Sequence, residues 1–465
     1  MASGAPMSEL DRLTGETVEL LQQMIRNQCV NDGTPESGHE YRSVDVLKNE
    51  LEGTGADIET WEFEPGRTSL LARLPGTDPD APSLCLMGHT DVVPVELDGW
   101  TQDPFAGERL TTTTADGTEI EEIWGRGAVD MLNLTSSMAV AFRHIARQGR
   151  RPGDLMYFAV ADEEAGGILG AQPIVDHHWD AIGCDYMLTE YGGTPSFGAE
   201  GTTVLITTAE KEGAFRSIDV TGTPGHGSMP YGTDNALVKA AAVVERLASA
   251  GIAPRIDEMF TDRIKALNLE PEVERQLLDP VHIADALAQL PPGLARNVHS
   301  CCHMTISPNM LDAGDKANTV ASSARIIVDI RILPGQTQEE VDELLEAAIG
   351  PDLMTSCEIT NMYPENAANV ASSTDTPMWN AMTEAIQLSY PEARVVPSLV
   401  TGGTDARFFR PKGTQAYGAG LLSRHVPMGE FLNRFHGHDE RIDIESLRLT
   451  TKLWLDVADR LWARH

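Results

Sequence analysis

Apolar residues occur along this chain in two kinds of segment that alternate. Short continuous apolar runs lie at 83–89, 155–162 and 184–190, with the sequences SLCLMGH, LMYFAVAD and CDYMLTE. Such runs, bounded by polar or glycine-containing segments, are typical of buried parallel strands. Between the first two runs, residues 128–149 carry apolar positions at helical spacing and predict a long amphipathic helix. We therefore predict an α/β fold with helices on both faces of a sheet.

The middle of the chain predicts a second, smaller unit. A strand that ends in a glycine-rich turn is followed by a helix, and a further strand, helix and strand come later. That order predicts a small α/β sandwich inserted between two halves of the first domain. We place the first domain at 1–208 and 366–465 and the inserted domain at 209–365. Within the insert, residues 252–300 predict a partly helical extension to which the sequence assigns no role.

The charge balance of the chain excludes two classes of partner. The 465 residues include 70 Asp and Glu against 35 Lys and Arg, a formal net charge of −35 at pH 7. Nucleic acid and anionic membranes would be repelled, and no run approaches the ~18 apolar residues of a membrane span. The six cysteines lack framework spacing, and the first residues lack the charged and apolar regions of a signal peptide. We therefore expect reduced thiols and a cytoplasmic protein.

Five short stretches combine histidine or carboxylate residues with glycine. They are GHTDVVP at 88–94, GRGAVDM at 125–131, ADEEAGG at 161–167, LTEYGG at 188–193 and FHGHDER at 435–441. Several of them follow predicted strands, and sites in open α/β sheets gather at the carboxyl ends of strands. Two histidines, three carboxylate ligands and one spare carboxylate are what a two-metal centre needs to bind and activate a shared water. The stretches together predict a hydrolase that cleaves amide bonds.

The first two stretches supply a histidine and a bridging carboxylate. Asp91 follows His89 by two residues, so its carboxylate can accept the second ring N–H and fix the tautomer of the ligand. Asp130 lies at the start of the predicted helix and could bridge two metal ions about 3.5–4 Å apart, with one oxygen for each. An aspartate at this position is also favoured simply as a helix N-cap.

The other three stretches supply the remaining ligands and a base. Glu163 and Glu164 end a predicted strand, and a turn can bring both into one crevice. There one can bind a metal while the other takes a proton from the activated water. Glu190 ends the third strand and can hold a metal from the far side, and His436 is the late histidine, with His438 as a rival ligand.

Candidate substrate contacts lie in the inserted domain and near the end of the chain. His226, in a glycine-rich turn, could polarise a carbonyl, and Asn318 offers an amide donor. Arg331 is suited to bidentate capture of a carboxylate. The backbone of Gly403 and Thr404, in TGGTDARF, could approach a ligand closely.

With these motifs the chain resembles the co-catalytic dizinc peptidase family, which includes aminoacylase, acetylornithine deacetylase, succinyl-diaminopimelate desuccinylase, carnosinase and carboxypeptidase S. GHTDVVP, GRGAVDM and DEEAGG carry the likeness, and TISPNMLDAGDKANTV with DIRILPG is most similar to the carboxypeptidase S-like subgroup. The resemblance implies a mixed-sheet catalytic domain with an inserted lid. The chain departs from the family at Leu132 and Asn133, where lysine and glycine are common.

The resemblance also implies a role for each candidate. Two zinc ions would share Asp130, one held by His89, Asp130 and Glu190 and the other by Asp130, Glu164 and His436. Glu163 would be the general base and Asp91 would orient His89. Carboxylate-rich sites also accept Mn²⁺ or Co²⁺. The lid would carry His226, Asn318 and Arg331, and in dimeric members His226 reaches the partner subunit's site, so a homodimer through the lid is implied.

The implied activity is hydrolysis of an amide bond in a peptide or N-acyl amino acid whose free carboxylate Arg331 would recognise. A carboxypeptidase or dipeptidase is the first interpretation, and an N-acyl-amino-acid deacylase is the alternative within the same class. A catalytically inactive binding protein on the same fold is the alternative of another class.

Overall fold

The computed structural model describes residues 8–114, 116–198, 201–362 and 369–463. The strands in these residues, numbered along the chain, are β1 Asp57–Glu62, β2 Thr68–Leu74, β3 Leu84–His89, β4 Glu108–Thr113, β5 Glu119–Trp124, β6 Leu155–Val160, β7 Tyr186–Thr189, β8 Gly192–Gly198, β9 Gly201–Glu210, β10 Glu212–Gly213, β11 Arg216–Thr221, β12 Gly225–His226, β13 Thr305–Ala313, β14 Thr319–Val320, β15 Ser323–Ile332, β16 Cys357–Asn361, β17 Arg394–Val400, β18 Gln415–Gly418 and β19 Arg441–Asp443.

The helices surround these strands in both halves of the chain. They are α1 Glu9–Asn27, α2 Tyr41–Glu50, α3 Leu132–Gln148, α4 Ala171–His177, α5 Trp179–Ile182, α6 Ala236–Ala248, α7 Glu258–Ala266, α8 Pro271–Leu277, α9 Ile283–Leu287, α10 Pro292–Cys302, α11 Gln338–Ile349, α12 Pro351–Met354, α13 Pro377–Ser389, α14 Ala406–Phe409, α15 Met428–Arg434 and α16 Ile444–Trp462. None of the helices in the described ranges combines the length and the apolarity that a membrane span requires.

A mixed sheet with the order β1-β2-β6-β3-β7-β18-β9-β17 forms the centre of the larger unit, and β8 pairs with β9. The three apolar runs predicted as buried parallel strands are β3, β6 and β7, and β3 pairs in parallel with both of the others. Every residue of β3 and β6 is buried, because helices cover both faces of the sheet. The predicted α/β fold with a mixed sheet is therefore confirmed.

Two apolar cores lie on opposite faces of the central sheet. One contains buried residues of α1, α3, α13 and α16, with Trp454 of α16 fully buried in it. The other contains Ile174 of α4, Ile182 of α5 and Phe409 of α14. These cores hold the strands rigidly, so the loops at the carboxyl ends of β3, β6 and β7 start from fixed positions.

A second sheet, built from β10, β11, β13, β15 and β16, has its own core with α6 and α11. This core runs from Ala214 to Ile359 in the sequence. Strand β9 continues to Glu210, past the predicted domain start at 209, and the predicted end at 365 lies outside the described residues. The division into 1–208 with 366–465 and 209–365 stays a proposal.

The extension predicted at 252–300 contains α7, α8, α9 and α10. Phe260, Ile264 and Val298 form a small core with Leu399 of β17. Helix α7 packs on β17 and β9, at one end of the central sheet. The extension therefore packs on the two strands at this end of the sheet and forms a small apolar core with them.

Candidate metal centre

Three neighbouring parallel strands end at one edge of the central sheet and deliver side chains to the same place. His89 is the last residue of β3, and Glu190 follows β7 directly. After β6, Asp162 takes a left-handed conformation with φ 70°, and a short 3₁₀ turn at Glu163–Ala165 follows. The turn keeps both glutamates beside the strand ends, as the sequence predicts.

Asp130 lies outside the helix that was expected to contain it. Helix α3 begins at Leu132, Met131 is its N-cap, and the peptide bond between Asp130 and Met131 is cis. The expectation that Asp130 starts the helix is therefore wrong by two residues. The carboxylate belongs to the loop between β5 and α3, and it is buried at the same sheet edge.

Each oxygen of Asp130 faces a different histidine. Oδ1 lies 3.3 Å from Nε2 of His89, and Oδ2 lies 3.1 Å from Nε2 of His436. Oε2 of Glu190 is 3.8 Å from His89 Nε2, and Oε2 of Glu164 is 3.3 Å from His436 Nε2. The arrangement gives two groups of donors joined by one carboxylate.

These two groups have the geometry and the chemistry of metal sites. Within each, one potential donor atom per residue lies within 4.8 Å of the others, the groups being His89, Asp130, Glu190 and Asp130, Glu164, His436. Oε1 of Glu164 is buried and has no hydrogen-bond partner among the described residues, which costs free energy unless a cation is bound. Imidazole and carboxylate donors without thiolate suit Zn²⁺, Mn²⁺ or Co²⁺, so the residues present fit a pair of divalent cations.

Burial and hydrogen bonding shift the pKa values of the candidate metal ligands and of Glu163. Burial raises the pKa of Glu163 and Glu190 well above their usual range and that of Glu164 to about 7. Hydrogen bonds to Asp130 and Glu164 raise the pKa of His436 to about 10. Burial alone would raise the pKa of Asp130, but hydrogen bonds from His436 and His89 hold it below its usual value. Positive charge at this position would relieve the repulsion among the carboxylates.

Asp91 contacts His89 differently from the sequence expectation. Nδ1 of His89 lies 2.9 Å from the main-chain carbonyl oxygen of Asp91 and 3.6 Å from the carboxylate Oδ1. The carboxylate instead accepts the N–H of Glu163 on Oδ1 at 3.3 Å and the N–H of Glu164 on Oδ2 at 3.1 Å. Asn31 donates to Oδ2 at 2.8 Å. One residue therefore orients the histidine with its backbone and the glutamate turn with its side chain.

His438, the rival ligand, belongs to neither of the two donor groups. A Cβ added at Gly99 would lie 2.3 Å from the His438 ring, so the imidazole packs directly on that glycine. The adjacent Asp439 accepts hydrogen bonds from the backbone N–H and the hydroxyl of Thr101. His438 therefore belongs to the packing between the loop at 97–101 and the segment after α15.

Asp405 is a buried acidic residue near the centre, and the sequence did not identify it as a candidate although it lies in TGGTDARF beside Gly403 and Thr404. Both carboxylate oxygens are buried without a hydrogen-bond partner in the described ranges, and burial raises the pKa of Asp405 to about 7. A Cβ at Gly167 would lie 2.4 Å from its Oδ1. Arg407 donates from Nη2 to the carbonyl oxygen of Gly166 at 2.8 Å. The TDAR segment therefore packs against the loop that carries Glu163.

Gly403 and Thr404 precede this contact, but Thr404 is already engaged within the protein. Its N–H donates to Oε2 of Glu210, and its hydroxyl accepts the N–H of Ala406 at 3.2 Å. Gly403 is half-buried and lies against the Arg407 guanidinium. Of the two, Gly403 retains backbone that a ligand can approach.

The three candidates in the second unit make hydrogen bonds within that unit. His226 is exposed, with Nδ1 2.8 Å from Oγ of Ser228. The main-chain carbonyl oxygen of the exposed Asn318, just before β14, accepts the N–H of Gly227 at 2.8 Å, so Asn318 lies next to the turn that carries His226. Arg331 donates from Nε to Asp329 Oδ1 at 2.7 Å, and its guanidinium lies 4.9 Å from the centroid of the Phe215 ring. The structure thus brings His226 and Asn318 together and leaves Arg331 apart from them.

Comparison with known proteins gives the same picture. The sequence profile of Peptidase family M20/M25/M40 matches residues 85–460. Aminoacylase-1 of Sus scrofa is 27% identical over 434 residues, which cover 92% of this chain and 90% of that protein. Probable carboxypeptidase S-like 2 of Dictyostelium discoideum is 27% identical over 399 residues, 82% of this chain and 72% of that protein.

The fold is also found among solved structures. An M20 family metallo-carboxypeptidase from Sulfolobus solfataricus superposes with a TM-score of 0.66 at 18% identity, over 99% of this chain and 100% of that chain. The resemblance seen in the motifs is therefore confirmed. Because the family profile matches well over half of its length, the chain belongs to peptidase family M20/M25/M40 of metal-dependent hydrolases.

Proposed function

We propose that this protein uses two divalent cations, zinc in the first instance, to hydrolyse the amide bond of a peptide or an N-acyl amino acid that carries a free carboxylate. The observation that carries the proposal is the placement of the Asp130 oxygens, 3.3 Å from His89 and 3.1 Å from His436. With Glu190 and Glu164 they complete two donor groups that share a single carboxylate.

When bound, the cations lower the pKa of a water and polarise the scissile carbonyl. Glu163 is a carboxylate beside the two groups that neither of them uses, and its Oε2 lies 3.9 Å from Nε2 of His89. It accepts a proton as the water oxygen bonds to the carbonyl carbon, and it delivers that proton to the amide nitrogen as the C–N bond breaks. The products are a carboxylic acid and an amine. The burial that raises the pKa of Glu163 suits a group that holds a proton between the two steps.

The free carboxylate of the substrate is assigned to Arg331. Its guanidinium forms a bidentate pair with Asp329, and a substrate carboxylate can replace that partner with the same geometry. His226 on β12 and Asn318, which lies just before β14, are exposed neighbours and are assigned to the scissile carbonyl. Gly403 is assigned to close backbone contact with the substrate. These assignments rest on the chemistry of the side chains.

Cleavage of a peptide and removal of an acyl group are the two versions of this activity. The carboxypeptidase S-like relative favours a peptide. Aminoacylase-1 favours an N-acyl amino acid, and its match covers more of both chains. The two versions share the residues and differ only in the group attached to the amide carbonyl.

The test is hydrolysis of a panel of dipeptides and N-acyl amino acids, each with its C-terminal amide as a control. We expect turnover that chelation abolishes and Zn²⁺, Mn²⁺ or Co²⁺ restores. The amide controls should be poorer by at least about 10-fold, because hydrogen bonds to a charged group contribute ~1.5–3 kcal/mol. Two bound metals without turnover on any amide would establish a binding protein on this fold, and a protein that binds no metal pair would refute the proposal.

We further propose a homodimer through the second unit and a cytoplasmic location. Strand β13 pairs with β15 and with no other strand in the described ranges, and Met310 and Leu311 on it are exposed. Such an edge is open to pairing with a second copy. Light scattering should give twice the chain mass, with Met310→Glu monomeric; a monomeric wild type would refute the dimer. The cytoplasmic location rests on the six unpaired cysteines.

A further inference from the structure

Glu440 is fully buried and holds the backbone of the loop that carries Asp130. Its Oε1 accepts the N–H of Val129 at 2.7 Å and the N–H of Asp130 at 3.0 Å. Its Oε2 accepts a hydrogen bond from Nη1 of Arg126 at 2.7 Å. Both oxygens of this carboxylate therefore contact the segment 126–130, and its charge is compensated by a buried guanidinium.

Arg126 extends this contact to the segment that carries His436. Its Nη2 donates to the main-chain carbonyl oxygen of His436 at 3.3 Å. The buried guanidinium also lies 5.3 Å from the centroid of the Trp100 ring, which fixes its plane. Arg126 and Glu440 thus form one ion pair that touches the backbone of both Asp130 and His436.

Backbone pairing also joins the segment that carries Asp130 to the segment that carries His436. Strand β19 pairs antiparallel with β5, with Arg441 opposite Trp124. One residue earlier, the main-chain carbonyl of Glu440 accepts the N–H of Gly125 at 2.9 Å. The backbone pairing ends here, so the loop from Gly127 to Asp130 is held from this side by the carboxylate of Glu440.

We propose that Glu440 is a positioning residue for the metal held by Asp130, Glu164 and His436. The inference rests on the proposed function, because it assigns a role toward that metal. Asp130 and His436 come from distant parts of the chain, and their 3.1 Å contact depends on a fixed separation between two loops. Glu440 accepts hydrogen bonds from the loop that carries Asp130, and it is itself part of the segment that carries His436. The site that contains His89 and Glu190 has only Asp130 in common with this network, so it depends on the pair less.

A neutral residue of the same size tests the proposal. In Glu440→Gln one acceptor oxygen remains for the N–H of Val129 and of Asp130, but an NH₂ group then faces the buried Arg126 guanidinium, which loses its partner. Loss of a partner that orients metal ligands typically weakens metal binding by about 10- to 100-fold.

Glu122→Gln is the matched control. Glu122 is a buried carboxylate on β5 in the same three-stranded sheet, and it lies 3.0 Å from Arg434 and 3.1 Å from Arg441. Its ion pairs are with Arg434 and Arg441, which flank His436 in the sequence, and not with Arg126, the partner of Glu440. Thermal melting of the metal-free proteins measures the cost to the fold, and titration with Co²⁺ against a chromophoric chelator, followed by absorption, measures the affinity of each metal equivalent.

We expect wild type and Glu122→Gln to bind two equivalents of Co²⁺ alike, even where the control melts at a lower temperature. Glu440→Gln should bind one equivalent about 10- to 100-fold more weakly and the other with a smaller loss. Unchanged affinities, equal weakening of both equivalents, or the same loss in Glu122→Gln would overturn the inference while the proposed function stands. A wild type that fails to bind two equivalents would instead refute the proposed function.

A second variant covers the case in which Glu440→Gln does not fold. Arg126→Lys keeps a positive charge opposite Glu440 but removes the planar fork that also reaches the carbonyl oxygen of His436. We expect it to weaken the same metal equivalent and to leave the other nearly unchanged. Wild-type affinity for both equivalents in Arg126→Lys would overturn the role of the pair.

Discussion

Replacement of Asp91 by asparagine separates the two roles that this residue has in the structure. The main-chain carbonyl that faces His89 at 2.9 Å is untouched by the change. The carboxylate, in contrast, accepts the N–H of Glu163 on one oxygen, and the N–H of Glu164 and the amide of Asn31 on the other. An asparagine side chain has a single acceptor oxygen. If the asparagine oxygen takes the position of Oδ2, it keeps the donors Glu164 and Asn31. The NH₂ group then takes the position of Oδ1 and faces the N–H of Glu163.

The expected loss follows from this one contact. A hydrogen bond to a charged group contributes about 1.5–3 kcal/mol, and each ~1.4 kcal/mol corresponds to a factor of about ten in rate. The loss falls on the turn that aims the proposed base, and the histidine keeps its backbone partner. Asp91→Asn should therefore retain two metals and show kcat lowered by about 10- to 100-fold.

The assay combines steady-state kinetics with metal analysis of the same preparation. Asp154→Asn is the control, because Asp154 lies just before β6, at the opposite end of the strand that leads to Glu163. It accepts the N–H of Gly76 at 2.6 Å and a hydrogen bond from Arg73 at 2.8 Å. The control should lower the melting temperature and leave kcat unchanged. An Asp91→Asn enzyme that loses metal but keeps its kcat per bound metal would refute the reasoning, since the carboxylate would then act on the histidine.

Three further predictions concern the base, the metals and the substrate. Glu163→Ala should keep two metals by elemental analysis and lower kcat by about 10²- to 10⁴-fold; unaltered turnover would exclude it as the base. The affinity of the metal-free protein for metal should rise with pH up to about 10 and most steeply below about 7. Binding displaces a proton from His436, whose pKa is raised to about 10, and below about 7 also from Glu164, whose pKa is raised to about 7. Calorimetry in buffers of different ionisation enthalpy should detect that proton release, and a pH-independent affinity would contradict it. Arg331→Lys should raise KM by about 10-fold with little change in kcat, and an unchanged KM would show that another group binds the carboxylate.

The positions of the candidate residues His89, Glu163, Glu164 and Glu190 were predictable because they end or follow strands that the sequence marks clearly. The apolar runs before His89, Glu163 and Glu190 became β3, β6 and β7, and parallel strands deliver their ends to one edge. The start of the helix was predicted two residues too early, at Asp130, because the apolar periodicity begins before Leu132, where the helix starts. Periodicity reports which face is buried and not where the backbone changes direction.

The contacts that hold the candidate ligands in place were not predictable from spacing. Asn31 reaches Asp91 across 60 residues, and Glu440 reaches Asp130 across 310. Each is one polar residue in a segment where several are equally plausible partners, and only the folded chain selects among them. Glu440 lay inside a motif that was chosen for its histidines, so the signal was present, but it could not be told apart from an ordinary acidic residue.

The two donor groups differ in their exposure to water. The side chains of His89, Asp130 and Glu190 are nearly inaccessible to solvent, whereas the His436 side chain is 50% exposed. An ion held beside His436 would therefore have the shorter path for exchange with free metal, and we expect it to leave first on dilution or dialysis. The protein would then pass through a state with one ion, held by His89, Asp130 and Glu190, in which the other oxygen of Asp130 has no metal to bind. Preparations that differ only in their handling would differ in specific activity for this reason alone.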